Sequence, residues 1–276
     1  MTQDLSPLDF KRLSQLVFES SGIYLKPDKA ELLRSRLAKR LRALGLSSFK
    51  DYWEVLKTDP GSELPRMLDQ VCTNKTEFFR EERHFQHLAQ VALPQFRGGR
   101  PLRLWSAACS SGEEAYTLAM VLSEQLGEGA DFKIVASDLS EKVLALALAG
   151  VYAERNCEGI PAALKHKYFE PLGPRTDRRW RVKDSLRARV SFARFNLVRE
   201  DLKPGAVRPF DAIFCRNVMI YFDRPTQEAV VQRLASLLVP GGWLYTGLSE
   251  SLIGIRHSLQ PMGPSIYRHG GEGPTA

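Results

Sequence analysis

In the first ninety residues, apolar side chains recur every three or four positions, which is the spacing of one helix face. The first run ends at Gly22, a residue type that commonly terminates helices. The sequence Asp59-Pro60-Gly61 predicts a turn between two later runs. We therefore predict a helical N-terminal domain with its linker over residues 1–90. The predicted helices lie near residues 10–17, 29–44, 48–57, 62–72 and 81–95.

The predicted helix at 29–44 is strongly basic. Asp28 is a suitable N-cap, and Gly45 follows the end of the helix. Four leucines form a narrow apolar stripe, and the cationic residues lie off that stripe. The leucines are Leu33, Leu37, Leu41 and Leu44, and the cations are Arg34, Arg36, Lys39, Arg40 and Arg42.

After residue 100 the pattern changes to strand-like apolar runs that alternate with helical segments. The runs are PLRLWSA, FKIVASD, RVSFARFN, FDAIFC and GGWLYTG. This alternation is typical of a parallel sheet with helices on both faces. We predict an α/β domain over residues 91–276. An arginine-rich insertion at 152–189 contains YFEPLG and RRWRV on either side of a turn, which predicts a small antiparallel β-hairpin.

Composition excludes several classes of protein. The chain has 276 residues, of which 43% are hydrophobic and 26% charged, as in globular proteins. No run approaches the ~20 apolar residues of a membrane span, and the N-terminus lacks a signal-peptide core. The four cysteines are far apart and form no C-x-x-C pair, which argues against a zinc site or a disulfide scaffold. We expect a cytoplasmic protein with reduced thiols, no bound metal and no membrane insertion.

The net charge of +7 is unevenly distributed along the chain. Residues 1–50 hold ten basic and five acidic residues, and residues 155–194 hold eleven and four, so the remainder is mildly acidic. A basic surface is compatible with nucleic acid, an anionic membrane or an acidic protein partner, and it also occurs without any such partner.

The ends of the predicted strands are where a ligand of an open α/β sheet binds. The first strand leads into WSAACSSGEE, whose small residues let the backbone approach a ligand closely. Glu113 and Glu114 follow at the start of a helix, where they would repel a pyrophosphate and suit a cationic amine. The alternative is that both carboxylates only complement the helix dipole.

Asp138 ends the second strand, at a position where an acid typically accepts hydrogen bonds from ribose hydroxyls. Its alternative role, capping the next helix, is open to Ser140 instead. Recognition of an amine and a ribose without a pyrophosphate loop suggests S-adenosylmethionine. Asn196 and Leu197 follow the third strand, where the amide can read the adenine edge or, equally well, form an ordinary turn.

The fourth strand leads into Arg216-Asn217 and an apolar run that ends in Tyr221. In this kind of fold the loop after the fourth strand lies nearest the reactive sulfonium. The apolar residues of the run fit core packing, whereas Asn217 and Tyr221 fit it less well. We therefore treat Arg216, Asn217 and Tyr221 as candidate site residues.

The linker segment CTNKTEFFREERHF adds further candidates. Asn74, Thr76 and Arg80 place hydrogen-bond donors around two adjacent phenylalanines. The alternatives are a helix-capping role for Asn74 and a surface position for Arg80. His84 and His87 lack a nearby third ligand, so we interpret them as structural or solvated residues rather than metal ligands.

Four segments resemble the CheR family of chemotaxis receptor glutamate methyltransferases. They are NKTEFFRE, WSAACSSGEEAYTLAM, ASDLSEKVLALALAGVY and FDAIFCRNVMIYFDRPTQEAV, in order and with matching spacing from about residue 8 to 268. The resemblance implies a Rossmann-like S-adenosylmethionine-dependent methyltransferase domain, a helical N-terminal domain and a small antiparallel β-subdomain. It also implies the reaction, which is methyl transfer to glutamate γ-carboxylates of chemoreceptors to form methyl esters.

Residue roles follow from the same resemblance. Arg80 and Tyr221 would lie closest to the transferred methyl group and are the expected catalytic residues. The expected cofactor contacts are Asn74, Thr76, Arg80, Glu113, Asp138, Asn196, Leu197, Arg216 and Asn217. The segment NKT departs from the NLT-like family motif at Lys75, to which we assign no role.

The two basic segments then become expected receptor contacts. The helix at 29–44 would face acidic receptor helices. The inserted hairpin at 168–184 offers a sheet edge that, in some family members, binds a receptor C-terminal peptide as an added strand. We expect a monomer that binds no nucleic acid.

Two other classes of function remain open from the sequence. A nucleic-acid methyltransferase should show stacking aromatics among its basic residues, and only Trp180 fits. A non-catalytic scaffold that binds the cofactor or its product should have lost Arg80, Asp138 or Tyr221, and all three are present.

Overall fold

The N-terminal part of the molecule is a group of four helices, as the apolar spacing predicted. A computed structural model describes residues 4–96, 100–127, 129–200 and 208–270 of the chain. The four helices are α1 (Pro7–Ser21), α2 (Ala30–Ala43), α3 (Phe49–Thr58) and α4 (Pro60–Val71).

Local capping chemistry sets the ends of these helices. Ser6 and Ser48 accept hydrogen bonds from backbone amides in the first turns of α1 and α3, and Gly22 ends α1 in the left-handed conformation. Asp59 caps α4, so Asp59-Pro60-Gly61 begins a helix directly rather than forming the separate turn that we predicted. Asp28 is not the cap of α2, because it lies inside a short 3₁₀ turn before the helix.

Helix α2 packs as its stripe predicted, with one exception. Leu33, Leu37 and Leu41 are buried, whereas Leu44 is exposed just beyond the end of the helix. The separation of leucines and cations is also incomplete. The guanidinium of Arg40 forms a bidentate pair with the buried carboxylate of Glu63 on α4 (2.8 and 2.6 Å), so this cation holds two helices together.

Residues 72–82 link the helical group to α5 (Arg83–His87), which continues as a π-helical turn (Leu88–Ala92) and a 3₁₀ turn (Leu93–Gln95). The predicted helix at 81–95 is therefore one helical segment of changing pitch. Its buried residues Phe85 and Leu88 belong to the same hydrophobic cluster as the central sheet.

The central sheet has the order β6-β2-β1-β7-β8-β10-β9, and neighbouring strands from β6 to β8 are parallel. The five predicted strands correspond to β1 (Leu102–Ala107), β2 (Phe132–Asp138), β6 (Val190–Arg194), β7 (Phe210–Cys215) and β8 (Leu238–Thr246). An antiparallel pair that the sequence did not predict, β9 (Leu259–Gly263) and β10 (Ile266–His269), extends the edge beside β8. The sheet is therefore mixed.

Helices cover both faces of this sheet, in agreement with the predicted α/β class. They are α6 (Glu113–Leu126), α7 (Glu141–Ala149) and α10 (Arg224–Ser236), while α8 (Ala162–Tyr168) packs on the inserted subdomain and α9 (Asp184–Arg187) packs on α6. The inserted subdomain is a three-stranded antiparallel sheet rather than a hairpin. Its order is β3 (Val151–Ala153), β5 (Arg179–Val182) and β4 (Phe169–Leu172).

The N-terminal helices pack on one face of the sheet and thereby help to position the site. Buried residues of α1–α4 form one hydrophobic cluster with Trp105 and Ile213 of the sheet and with α10. The segment 83–95, α6 and the β-subdomain share a second cluster with the opposite face. Among the described residues, no helix is long and apolar enough to cross a bilayer.

Candidate functional site

A cavity lies beyond the carboxyl ends of the parallel strands, where such sheets bind ligands. The helical group contributes Ser21, Ile23 and Val71 to its wall. Most of the predicted site residues meet here. The predicted residues that line the cavity are Asn74, Thr76, Arg80, Asp138, Asn196, Leu197, Arg216, Asn217 and Tyr221.

The two carboxylates after β1 occupy different places. Glu114 lines the cavity, accepts a hydrogen bond from Ser106 Oγ (2.6 Å) and pairs with Arg216. Glu113 does not line it; its carboxylate is buried and accepts from Ser111 Oγ (2.7 Å). Burial raises the pKa of both groups, and the Arg216 charge opposes that rise at Glu114. The structure thus places Glu114 in the cavity wall and not Glu113, which was the expected cofactor contact.

Asp138 lies in the wall of the cavity with its carboxylate held by the backbone. Its two oxygens accept from the amides of Ser110 (2.9 Å) and Ser140 (3.0 Å). Burial raises its pKa, and these two hydrogen bonds oppose the rise. Ser140 caps α7, so the capping role falls to Ser140 and Asp138 faces the cavity.

The Asn196 side chain is engaged within the protein. Its Oδ1 accepts from the amides of Val198 (3.0 Å) and Arg199 (3.2 Å), which is an Asx turn. Its Nδ2 donates to the carbonyl of Ser20 at the end of α1 (2.7 Å). These bonds favour the turn interpretation over adenine recognition by the amide, while Leu197 next to it presents an apolar surface to the cavity.

Arg216 is the centre of a buried ion network. Its guanidinium donates to Glu114 (2.9 Å), to Glu81 (3.0 Å) and to the carbonyl of Arg80, and it lies over the ring of Phe85. Burial opposes ionisation of Glu81, but the Arg216 charge and the hydrogen bonds from Arg216, Asn217 and the Leu248 amide together outweigh it and lower the pKa of Glu81. Since the guanidinium fixes two carboxylates and the backbone of Arg80, it joins the loops after β1 and β7 to the linker.

The loop after β7 has a backbone conformation that depends on Glu250. Asn217 has φ of +57°, which is the left-handed region that a non-glycine residue rarely adopts. The buried Glu250 carboxylate accepts from the amides of Asn217 (2.7 Å), Ile220 (3.1 Å) and Gly247 (2.7 Å). These three bonds hold the segment that ends in Tyr221, a cavity residue.

The linker places Arg80 beside this loop. Arg80 is half-buried, lines the cavity and donates from Nη1 to the carbonyl of Lys75 (2.8 Å). Phe79 and Glu81, on either side of it, both have φ of +57°. Two positive φ values around one residue indicate that the segment is bent to place Arg80 in the wall.

Sequence reasoning missed three residues of this arrangement. Glu81 lies within the NKTEFFRE segment, which was a signal that could have been followed. Glu250 and Gly247 lie in a loop without a motif. A Cβ at Gly247 would lie 2.6 Å from Asn217 Nδ2, so the close approach of the two loops requires glycine there.

Two histidines lie near the site without lining the cavity. His84 is fully buried, and burial lowers its pKa to about 4. His87 Nδ1 lies 3.0 Å from the hydroxyl of Tyr245. Within the described parts of the chain, no group of three or more His, Cys, Asp or Glu side chains is arranged to hold a metal ion.

Comparison with known proteins finds two family profiles and many similar chains. Residues 8–72 match "CheR methyltransferase, all-alpha domain", and residues 74–267 match "CheR methyltransferase, SAM binding domain". The chain is 42% identical to Chemotaxis protein methyltransferase 2 of Pseudomonas aeruginosa, over 94% of this chain and 92% of that one. It is 39% identical to the Chemotaxis protein methyltransferase of Escherichia coli, over 95% and 91% respectively.

Proposed function

Because this chain belongs to the CheR methyltransferase family, we propose that it methylates glutamate γ-carboxylates of chemotaxis receptors. Methylation in chemotaxis with S-adenosylmethionine is the activity of the family. The choice of a carboxylate acceptor is supported most directly by one observation. Arg80 and Tyr221, a cation and a phenol, line the same cavity.

The cofactor is S-adenosylmethionine, since residues 74–267 match the family's SAM-binding domain. The cavity suits it chemically. The fixed Asp138 carboxylate can accept from ribose hydroxyls, and the Glu114 carboxylate can accept from a cationic amine. Leu197 offers an apolar surface for the adenine. When bound, the cofactor supplies a methyl group on a positively charged sulfur.

The residues of the chain need only align the acceptor and exclude water. A glutamate carboxylate is ionised at neutral pH, so no strong base has to deprotonate it. Tyr221 would donate its hydroxyl to the acceptor carboxylate, and Arg80 would orient a carboxylate by its charge. Alignment of this kind contributes roughly 7–11 kcal/mol to a reaction. Glu250 and Glu81 would act through the loops that carry these two residues.

We propose that the two basic segments contact the receptor, although fewer cations are available on the helix at 29–44 than the sequence predicted. On the helix at 29–44, Arg40 is committed to Glu63, and Arg36 donates to the carbonyl of Val71 and to Thr73 Oγ1. The cationic face available to an acidic receptor helix is therefore smaller than the sequence indicated, and includes Lys39 and Arg42. In the subdomain, β4 is an edge strand that can accept an added strand from a receptor peptide.

Substitution of Arg80 tests the proposed chemistry. Arg80→Ala should lower kcat of methyl transfer to a chemoreceptor cytoplasmic domain by at least about a hundredfold, since alignment is the main contribution of the site. The affinity for S-adenosylhomocysteine, measured by calorimetry, should fall much less. Arg66→Ala is the control, because Arg66 is exposed on α4 and does not line the cavity. Equal losses of kcat and affinity would make Arg80 only a cofactor anchor.

A second outcome bears on the acceptor itself. Binding of S-adenosylhomocysteine by the wild-type protein without methyl transfer to any chemoreceptor would refute the proposed reaction. It would favour the non-catalytic scaffold that the sequence left open. Base-stable methyl incorporation would also refute it, because glutamyl methyl esters hydrolyse in mild base.

A further inference from the structure

Four large apolar side chains on or near the loops after β7 and β8 are exposed. Ile253 is 83% exposed, Tyr24 and Ile220 are 50% exposed, and Leu248 is 47% exposed. We call Tyr24, Ile220, Leu248 and Ile253 the apolar rim. Single exposed apolar residues are ordinary on protein surfaces, but a group of them beside a cavity indicates a binding surface.

Backbone contacts place the rim beside Tyr221. The amide of Tyr24 donates to the carbonyl of Tyr221 (2.7 Å), and Ile220 is its neighbour in sequence. The amide of Leu248 donates to the Glu81 carboxylate (3.2 Å), next to Arg80. The rim thus borders the side of the cavity where Tyr221 and Arg80 lie.

A second, shallower cavity lies on the other side of Ile220. Its wall is formed by Met219, Ile220 and the beginning of α10 on one side and by residues 249–252 and Ile255 on the other. Arg224 lies in this wall and donates to the carbonyl of Ile253 (3.1 Å), which joins Ile253 to the same surface. Arg224 is exposed, and no ion pair is found for it among the described residues.

Two rim residues are held rigidly despite their exposure. The backbone amide of Ile220 donates a hydrogen bond to Glu250, and that of Leu248 donates one to Glu81. Glu81 also pairs with Arg216, and Glu250 also accepts from the amides of Asn217 and Gly247. A rigid apolar surface binds a partner with little loss of conformational freedom. The loop network would therefore serve substrate binding as well as alignment of Tyr221.

From this arrangement we infer that the apolar rim binds the side chains that flank the acceptor glutamate on the substrate protein. The inference rests on the proposed function, because a glutamate that reaches Tyr221 brings its neighbours against the rim. On a substrate helix, residues three or four positions away lie on the same face, about 5–6 Å from the acceptor. The preferred substrate segment therefore has apolar residues one turn from its glutamate, and Arg224 pairs with a further carboxylate of an acidic helix.

A double substitution tests the rim directly. Leu248→Ser with Ile253→Ser should raise KM for a chemoreceptor cytoplasmic domain encoded by the same genome by about tenfold, from the apolar area that is no longer buried. Neither kcat nor the calorimetric affinity for S-adenosylhomocysteine should change more than about twofold. Leu148→Ser on α7 is the matched control, because Leu148 is 53% exposed and does not line either cavity.

The receptor domain provides the complementary change. Replacing apolar residues one turn from a methylated glutamate with serine should raise KM for the wild-type enzyme but not for the double variant, since contacting residues are non-additive. The inference would be overturned if the enzyme and receptor substitutions had additive effects on the free energy derived from KM. It would also be overturned if KM of the double variant equalled that of the Leu148→Ser control.

Direct binding separates this inference from the proposed reaction. If the wild type binds the receptor domain but transfers no methyl group, the proposed reaction is refuted. A tenfold loss of binding in the double variant would then still support substrate binding by the apolar rim. If the wild type neither binds nor methylates the domain, both fail. Light scattering adds a further outcome, because a wild-type dimer that the double substitution dissociates would assign the rim to self-association and overturn the inference.

Discussion

Replacing Glu250 with glutamine should slow methyl transfer without weakening cofactor binding. Glu250 does not line the main cavity, yet its buried carboxylate accepts three backbone amides from two loops. Glutamine has nearly the same shape but only one acceptor oxygen. If that oxygen keeps the amides of Asn217 and Gly247, the new NH₂ group faces the amide of Ile220, and two donors oppose each other.

The size of the effect follows from that lost hydrogen bond. Leaving a buried donor unsatisfied costs about 1–3 kcal/mol. For a chain of this size each kcal/mol lowers Tm by roughly 2–4 °C, so we expect a decrease of about 2–12 °C. Ile220 directly precedes Tyr221, and a displacement of about 1 Å at a reacting group costs about a hundredfold in rate. A decrease in kcat of ten- to a hundredfold is therefore expected.

Three measurements decide the matter. They are initial rates of methyl transfer to a chemoreceptor domain, calorimetry with S-adenosylhomocysteine, and thermal unfolding. Glu54→Gln is the control, because its carboxylate is exposed on α3, pairs with Lys57 and does not line the cavity. If Glu250→Gln keeps both kcat and Tm of the wild type, the loop does not depend on this carboxylate. If cofactor affinity falls as much as kcat, Glu250 supports the cofactor site and not Tyr221.

Three further predictions concern neighbouring residues and conditions. Gly247→Ala should lower kcat in the same assay, because a Cβ would lie 2.6 Å from Asn217 Nδ2, and unchanged kinetics would contradict the close packing of the loops. His84→Leu should flatten the pH dependence of the unfolding free energy between about pH 4 and 6.5. Burial lowers the pKa of His84 to about 4 from an ordinary 6.5, so the unfolded chain binds the proton first as pH falls and the wild type loses stability between these values. Urea unfolding at about pH 5 and 7 measures this loss, and an equal change of unfolding free energy with pH in both proteins would contradict it. Raising salt from about 50 to 300 mM should raise KM for the receptor domain more than it changes kcat, and a salt-independent KM would argue against the basic segments as its binding surface.

The sheet was predictable from sequence where each strand is apolar along its length. The strand FDAIFC is buried at every position in β7, and its type follows from composition alone. The edge strand LQPMG is buried only at Leu259, and it contains a proline and a glycine. Nothing local distinguishes such a segment from a loop, because its strand conformation comes from pairing with β10.

The sequence predicted those site residues that directly follow a strand. Asp138 and Arg216 were found because chain position alone places them at the carboxyl edge of the sheet. The roles of Glu113 and Glu114 could not be separated in this way. They are adjacent on a helix and point about 100° apart, so only the packing of α6 decides which one faces the cavity. Glu250 was missed because its partners are backbone amides, which leave no trace in a sequence.

The charge pattern takes on a different meaning once the side chains are placed. Around Arg216 lie the carboxylates of Glu81 and Glu114, with Asp138 farther along the same cavity wall. Lys75 and Arg80 line the same cavity, so its wall carries both signs of charge, which suits a cofactor that has both an amine and a carboxylate. The basic residues of the helix at 29–44 and of the insertion lie outside this cavity, and some of them hold the protein itself together. The net charge of +7 therefore reflects the basic exterior rather than the cavity, and that exterior suits an acidic protein partner.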